Sequence, residues 1–458
     1  MAAELPEECA FAARGRHSIT PAVTHRNYRR YLLICLAAIY AFNFMDLLTF
    51  GMALQSIKVS LKLSDTELGV LSGLPFSLFY STIGVGLGWW ADVGNRVAIL
   101  SITRVLWAVF VVLTGRAGSF MQMFGVRIAV AAGESGCLPP AYSLIGDCFP
   151  RQERARAFGI FNIGIPLSTV LGFFAAGWLI QHYGWRETFT IMGMPGFALS
   201  IVAWLTLKEP RNQRSATAGP AGSATAAGVR VAVAIRDRVP QAPWATFRSL
   251  WGNATYRNLL LAFVTLQFYA TGLGQWQAAF FIRSYGMAPG ELGAWLAIAS
   301  GIPAMIGSPL GGAIASRWAG SNERVQLVFV SVIYCFIATV WPCVYLTRND
   351  HIAFALMAAS TLVASMSTAS VMSAMQAVVP SRMRAVSIMI VFLFANLVGF
   401  GLGPLLTGVL SDALRPRFGI DSLRYALVLM SPWSLLYSWF TLRASRTAAT
   451  DVARNVEH

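Results

Sequence analysis

The stretch YLLICLAAIYAFNFMDLLTFGMALQSI, Tyr31 to Ile57, carries a single charged residue, Asp46. A helix rises about 1.5 Å per residue and the hydrocarbon layer of a bilayer is about 30 Å thick, so roughly 20 apolar residues cross it. This stretch is long and apolar enough to be a span. An ionised carboxylate in hydrocarbon is costly unless it is paired or hydrated, so Asp46 needs a partner or a proton.

Runs of the same kind recur along the chain. With 56% hydrophobic and 12% charged residues in 458, the sequence is too apolar for an ordinary soluble globule. Twelve spans are predicted, at 31–54, 67–90, 97–116, 120–145, 156–180, 187–207, 257–282, 290–315, 325–346, 351–378, 385–411 and 424–442. The segment before the first is polar and arginine-containing, whereas a cleavable signal puts an apolar segment near the start, so the first span is expected to stay.

Orientation follows from alternate loops. With both termini cytoplasmic, that side holds 24 of the 35 Lys and Arg residues, the opposite side 9, and Arg104 and Arg127 fall within spans. The net charge of +15 is thereby spread over topology-setting loops, without zinc-finger spacing or a basic helix. It points to anionic lipid rather than nucleic acid. Cys35, Cys137, Cys335 and Cys343 lie in spans at no ligand-like spacing, so neither a metal site nor a disulfide framework is indicated, and no cofactor is expected.

Between Lys208 and Arg257 the hydropathy collapses into KEPRNQRSATAGPAGSATAAG and a basic stretch, a composition expected to form a flexible loop. The expected organisation is a cytoplasmic tail (1–30), a six-helix bundle (31–207), a linker loop (208–256), a second six-helix bundle (257–442) and a cytoplasmic tail (443–458). An internal repeat supports this division. PRQERA from Pro150 follows span four and PSRMRA from Pro380 follows span ten, both P-x-x-x-R-A; Gly88 and Asp92 in GWWADVGNR correspond to Gly312 and Ser316 in GAIASRW. Parallel six-helix repeats are a transporter architecture with the ligand site between the repeats near mid-membrane.

At this point the residues resemble a known family. GWWADVGNR resembles the loop motif between helices two and three of the major facilitator superfamily, and RIAVAAGESG its helix-four motif. FNFMD, LSDTELGVLSGLPFSLFY, GESGCLPPAYSLIGDCFP and GWRETF together resemble the spinster-like branch, and FFIRSYG and NLVGFGLGPLL continue the likeness in the second half. The resemblance implies an all-α membrane fold of twelve helices in two pseudo-repeats and a transport activity.

Ionisable residues inside spans are functional candidates. Spans seven to twelve hold none away from their ends, whereas the first half holds Asp46, Arg104, Arg127 and Glu134. Arg127 and Glu134 are two helical turns apart on one face of span four, and Asp46 and Arg127 both fall in the outer half of the bilayer. One arginine can thus serve two carboxylates. Burial disfavours a carboxylate's charged form and an adjacent arginine favours it, so a conformational change that alters their separation changes proton affinity. Asp46, Arg127 and Glu134 are the expected proton-coupling group, the competing reading being a static tie between helices. Arg104 sits about two turns into span three and can snorkel back to the surface or turn inward; it is left outside the site.

The resemblance implies the same three roles, and it marks a departure: the branch has Asp-Arg in span one where this chain has Asp46-Leu47. That puts anion recognition in question. By resemblance Gly88, Asp92 and Arg96 form a cytoplasmic gate, with Asp147 and Arg154 as partners. Val93 and Ser316 replace the expected Arg and Asp, which implies a weaker latch. GIPLSTVLG in span five and GFGLGP in span eleven read as close-packing sites.

LQFYATGLGQWQAAFF in span seven places Gln267, Tyr269, Gln275, Trp276 and Phe280 along a helix that usually lines the cavity, and Asn43 and Asn396 add amides. Such walls suit an amphiphile or a largely apolar organic molecule, lipid-like or an organic acid. The expected function is a proton-coupled secondary transporter acting as a monomer in the plasma membrane, for a bacterium the inner one. No phosphate-binding loop indicates a primary pump. The alternative is a receptor that kept the fold but does not transport, motivated by Leu47 and Ser316. An enzyme is not expected: His17, His25, His182, His351 and His458 lie in loops or termini, with no nucleophile and base to assemble.

Overall fold

The structure, a computed structural model, describes residues 26–210, 243–314, 317, 322–380 and 383–456. Span one is the helix Arg26–Leu61, span two Asp65–Val93 and span three Arg96–Thr114. Span four is broken at Gly136 into Phe120–Ser135 and Leu138–Cys148. Span five begins with Arg151–Asn162, and Gly164–Thr206 carries the rest of it together with span six. The chain reverses between these two at Gly184, whose φ of 75° suits a residue without a Cβ.

The second half repeats the pattern with more interruptions. Span seven is Ala254–Gly274 plus Gln277–Tyr285, span nine is Glu323–Leu346 and span ten is Asp350–Ser365 plus Thr368–Val378. Span eight is Pro289–Leu296 and Ile302–Ile314 joined by a wider π turn at Ala297–Gly301; span eleven is Arg384–Phe394 and Gly401–Phe418 joined by one at Ala395–Phe400. Span twelve is Ser422–Met430 plus Trp433–Val456. No strand occurs among the described residues.

Polar residues at the helix starts explain where the helices begin. Ser64 and Glu67 form a reciprocal capping box, and the side chains of Asn95, Ser119, Asn253, Asn322 and Asn349 each accept a first-turn amide hydrogen. Among the described residues, eight helical runs are by themselves long and apolar enough to cross a membrane. Two of these, Gln152–Thr206 and Val386–Val452, each contain two spans, and spans four and seven, both broken, complete the twelve.

Two expectations need correction at their edges. Pro243–Gly252, inside the predicted linker, is helical, and its Phe247 ring stacks on Phe394 at 5.8 Å. Burial of that ring gives the segment a packing face that composition alone does not reveal; residues 211–242 lie outside the described residues. The predicted tail after 442 continues as helix to Val456, because Asp451 accepts hydrogen bonds from the Thr255 amide (3.2 Å) and hydroxyl (2.7 Å).

The two halves meet along two seams: span two against span eleven, and span five against span eight. Added Cβ atoms at Gly69 and Gly73 would lie 2.6 and 2.4 Å from the carbonyl oxygens of Pro404 and Gly401; at Gly177 and Gly293 they would lie 2.4 Å from those of Pro289 and Phe173. Glycine lets these backbones touch. The seams open toward the other end of the bundle, where a Cβ at Gly86, Gly88 or Gly312 would meet nothing within 4 Å. The halves therefore form a V, closed at the end that carries Asp65 and open at the end that carries Arg96.

Candidate functional site

Asp46 and Arg127 are an ion pair in the interior. Arg127 Nη1 donates to Asp46 Oδ2 at 3.0 Å, and each side chain is 1% exposed. The guanidinium also lies 4.2 Å from the Phe50 ring centroid, one turn beyond Asp46. Glu134 is buried two turns along span four. Asp46 Oδ1, Arg127 Nε and Glu134 Oε1 are all buried without a hydrogen-bond partner. Two orphaned carboxylate acceptors and one orphaned guanidinium donor mark a polar compartment with capacity for a proton, a water or a ligand atom.

Arg104 joins this compartment. It is 2% exposed, bonds Asn43 Oδ1 through Nη1, and donates from Nη2 to the Gly133 carbonyl at 3.0 Å. Its guanidinium lies 5.0 Å from the Trp107 ring. It therefore turns inward; the snorkelling alternative does not hold. Eight residues separate it from the helix start at Arg96, a depth of about 12 Å along the helix. Asn43 is correspondingly occupied by Arg104 and only 6% exposed.

The second-half residues divide. Gln267 and Asn396 are half-buried on adjoining turns, where a Cβ on Gly399 would lie 2.5 Å from Gln267 Cβ. Gln275, at the break in span seven, points its orphaned Oε1 at Gly51 across the interface between halves. Tyr269 is buried edge-on to Tyr334 at 6.2 Å. Trp276 and Phe280 are fully buried: Trp276 donates to the Pro404 carbonyl at 3.0 Å, and Phe280 packs among Phe281, Tyr285 and Tyr345. In this conformation both belong to the packing that closes the Asp65 end rather than to an open wall.

That closure contains a cluster absent from the expected site. Arg283 donates from Nη1 and Nη2 to the two oxygens of Asp65, both at 2.8 Å, and from Nε to Gln55 at 2.6 Å. Lys58 and Ser411 also bond Asp65. Asp412, from the second half, accepts from the Thr66 amide and hydroxyl, both at 2.7 Å, so one half caps the first turn of span two in the other. A cavity of about 410 Å³ adjoins this cluster, lined by Gln55, Lys58, Asp65, Arg283 and Arg415.

At the Arg96 end, the predicted gate is brought together only in part. Arg96 is fully buried, donating from Nη1 to Asp147 (2.7 Å) and Ser143 (2.8 Å) and from its amide, Nε and Nη2 to Glu209. Arg154 instead donates to the Phe149 carbonyl of its own turn, at 3.0 Å. Gly88 borders open space. The Asp92 side chain and Ser316 lie outside the described residues. Glu209 was missed because it opens the segment read as a loop. Arg96→Ala leaves two carboxylates facing an empty site and is expected to cost about 3–5 kcal/mol. Thermal unfolding of detergent-solubilised protein checks this, with Glu209→Gln retaining part of the loss because an amide oxygen still accepts.

The fold of two six-helix halves and a buried polar compartment in the first define a membrane transporter rather than an enzyme. The model of the Major Facilitator Superfamily matches residues 36–404, and the chain belongs to that superfamily. An MFS-type efflux pump of Mycolicibacterium smegmatis is 28% identical over 403 residues, 86% of this chain and 87% of that one. A Probable L-galactonate transporter of Escherichia coli is 30% identical over 260 residues, 56% of this chain and 54% of the relative. Among solved structures, a bacterial homologue of the human lysosomal transporter Spinster, inward-facing and unoccupied, superposes with a TM-score of 0.77 at 26% identity, over 93% of this chain and 99% of that one.

Proposed function

We propose that this chain is a proton-coupled secondary transporter that moves an amphiphilic or largely apolar organic molecule by alternating access. The observation that carries the reading is the buried Asp46–Arg127 pair with Glu134 beside it, three ionisable groups where hydrocarbon disfavours charge. Asp46 and Glu134 take and release the proton, and Arg127 sets how strongly each holds it.

The substrate lies between this charged side and the amides of Gln267, Gln275 and Asn396, with Asn43 and Tyr269 at its margins. Trp276 and Phe280 meet it when the Asp65 end opens. Residues 31–207 and 257–442 are the rocking units. With both termini cytoplasmic, the Asp65 end faces outward and the conformation is inward-open, as the solved Spinster homologue is described. Asp92, Arg96 and Asp147 then belong to the inner gate. Each chain holds both halves and the whole compartment, which supports function as a monomer in a plasma membrane, its basic loops drawn to anionic lipid.

Ligands selected by thermal shift are to be offered to purified protein in liposomes, with and without a pH gradient. Accumulation above equilibrium only with the gradient is the expected result. Uptake that ignores the gradient would falsify the coupling.

A further inference from the structure

The cavity beside the Asp65 cluster lies between the two halves, apart from the compartment of Asp46, Arg127 and Glu134. Its volume of about 410 Å³ is that of a small-molecule site. Span one contributes Lys58 and span two Asp65, while across the seam stand Arg283 of span seven, Arg415 of span eleven and Ser422 of span twelve. Gly419, with a φ of 55°, allows the reversal that brings Arg415 and Ser422 to one wall.

Three cations thus line a cavity that holds one carboxylate. Lys58 and Arg283, 16% and 11% exposed, both bond Asp65, yet Lys58 keeps two hydrogens beyond that bond and each Nη of Arg283 keeps one. Arg415 is exposed, and no carboxylate among the described residues pairs with it. Asp412, three residues before Arg415, is the other carboxylate nearby; its oxygens accept from the Asp65 and Thr66 amides and the Thr66 hydroxyl. With Asp412 counted, one positive charge remains.

We propose that this cavity binds a phosphate group, carried by a soluble phosphomonoester or by a phospholipid head, and that the bound phosphate holds the Asp65 end shut. The free donors come from spans one, seven and eleven, so they meet a tetrahedral oxyanion from separate directions, where a planar carboxylate suits a single fork. Ile420, 80% exposed at the rim, offers apolar surface to whatever carries the phosphate. Binding stands on the cavity alone, and its consequence rests on the alternating-access reading above. Lys58 belongs to the first half and Arg415 to the second, so the phosphate meets both only while the halves touch. A ligand that binds one conformation better shifts the protein toward it. The site acts as a brake, separate from the transported molecule.

Hydrogen exchange in residues 65–77 and 401–412 of the full chain reads closure of that end at equilibrium, with no transport and no gradient, so its failure is separate from failure of proton coupling. In detergent, sn-glycerol 3-phosphate is compared with glycerol. In nanodiscs, phosphatidylglycerol mixed into phosphatidylcholine is compared with phosphatidylcholine alone. At saturation at least one of the two anionic probes is expected to slow exchange about tenfold or more relative to its control, the worth of one charge-assisted bond. Protection by the free ester assigns a soluble ligand, and protection by phosphatidylglycerol alone a lipid head.

Arg415→Gln changes an exposed side chain and leaves every bond to Asp65 in place, so the protein is expected to fold and to lose the protection. Arg415→Lys is expected to keep part of it. Exchange in the wild type that neither anionic probe slows relative to its control overturns the proposal. So does an R415Q protein that the probe protects as fully as the wild type, since the phosphate then sits elsewhere.

Discussion

Asp46→Asn is expected to abolish uphill accumulation while leaving downhill exchange of substrate across the membrane within about a few-fold of wild type. The asparagine oxygen still accepts a hydrogen bond from Arg127, so the contact between spans one and four survives, but the side chain no longer takes a proton. A proton-driven transporter so altered retains its two conformations and its ligand site. It loses the link between them and the gradient. Counterflow and gradient-driven uptake, measured on the same liposomes, separate the two activities. Equal loss of both would mean that Asp46 holds the bundle together and carries no proton. Wild-type accumulation by the variant would remove it from the mechanism.

Arg283→Gln is expected to shift the protein toward the conformation open at the Asp65 end. The substitution removes two charge-assisted bonds to Asp65 that exist only while the halves touch there. Each such bond is worth about 1.5–3 kcal/mol, so even one net loss corresponds to about a 10- to 160-fold change in the ratio of the two states. Lys58, in the same half as Asp65, keeps it partly satisfied, which limits local unfolding. Hydrogen exchange should quicken in residues 65–77 and 401–412 and slow near Gly88 and Gly312, as the V closes at its other end. Uniform quickening throughout would indicate simple destabilisation.

The spans were legible because hydropathy over 20 residues is a strong signal, and Asp46, Arg127 and Glu134 stood out because a charge in hydrocarbon is rare. Other features depended on contacts that no local pattern encodes. The π turns at Ala297–Gly301 and Ala395–Phe400 contain Gly301 and Gly399 and precede Pro303 and Pro404, residues that permit a wider turn without dictating one, and they occur where Gly301 packs on Val170 and Gly399 on Gln267.

Arg104 was ambiguous because counting residues from a helix end gives depth but not direction; Asn43, 61 positions away, decides it. The Asp65 cluster draws on spans one, two, seven and eleven, and each member alone reads as a solvated loop-end charge. Glu209 was hidden for the same reason, its partner Arg96 lying 113 positions earlier. The glycines that the sequence marks as close-packing sites in spans five and eleven do pack closely, Gly164 against Ala37 and Gly403 against Phe268.

The most direct measurement traps a pH-sensitive dye inside liposomes and follows lumenal pH while a substrate gradient is imposed, with no pH difference at the start. The account predicts a pH change whose sign reverses with the direction of the substrate gradient and which vanishes in Asp46→Asn. Substrate movement with no change in lumenal pH in the wild type would contradict it.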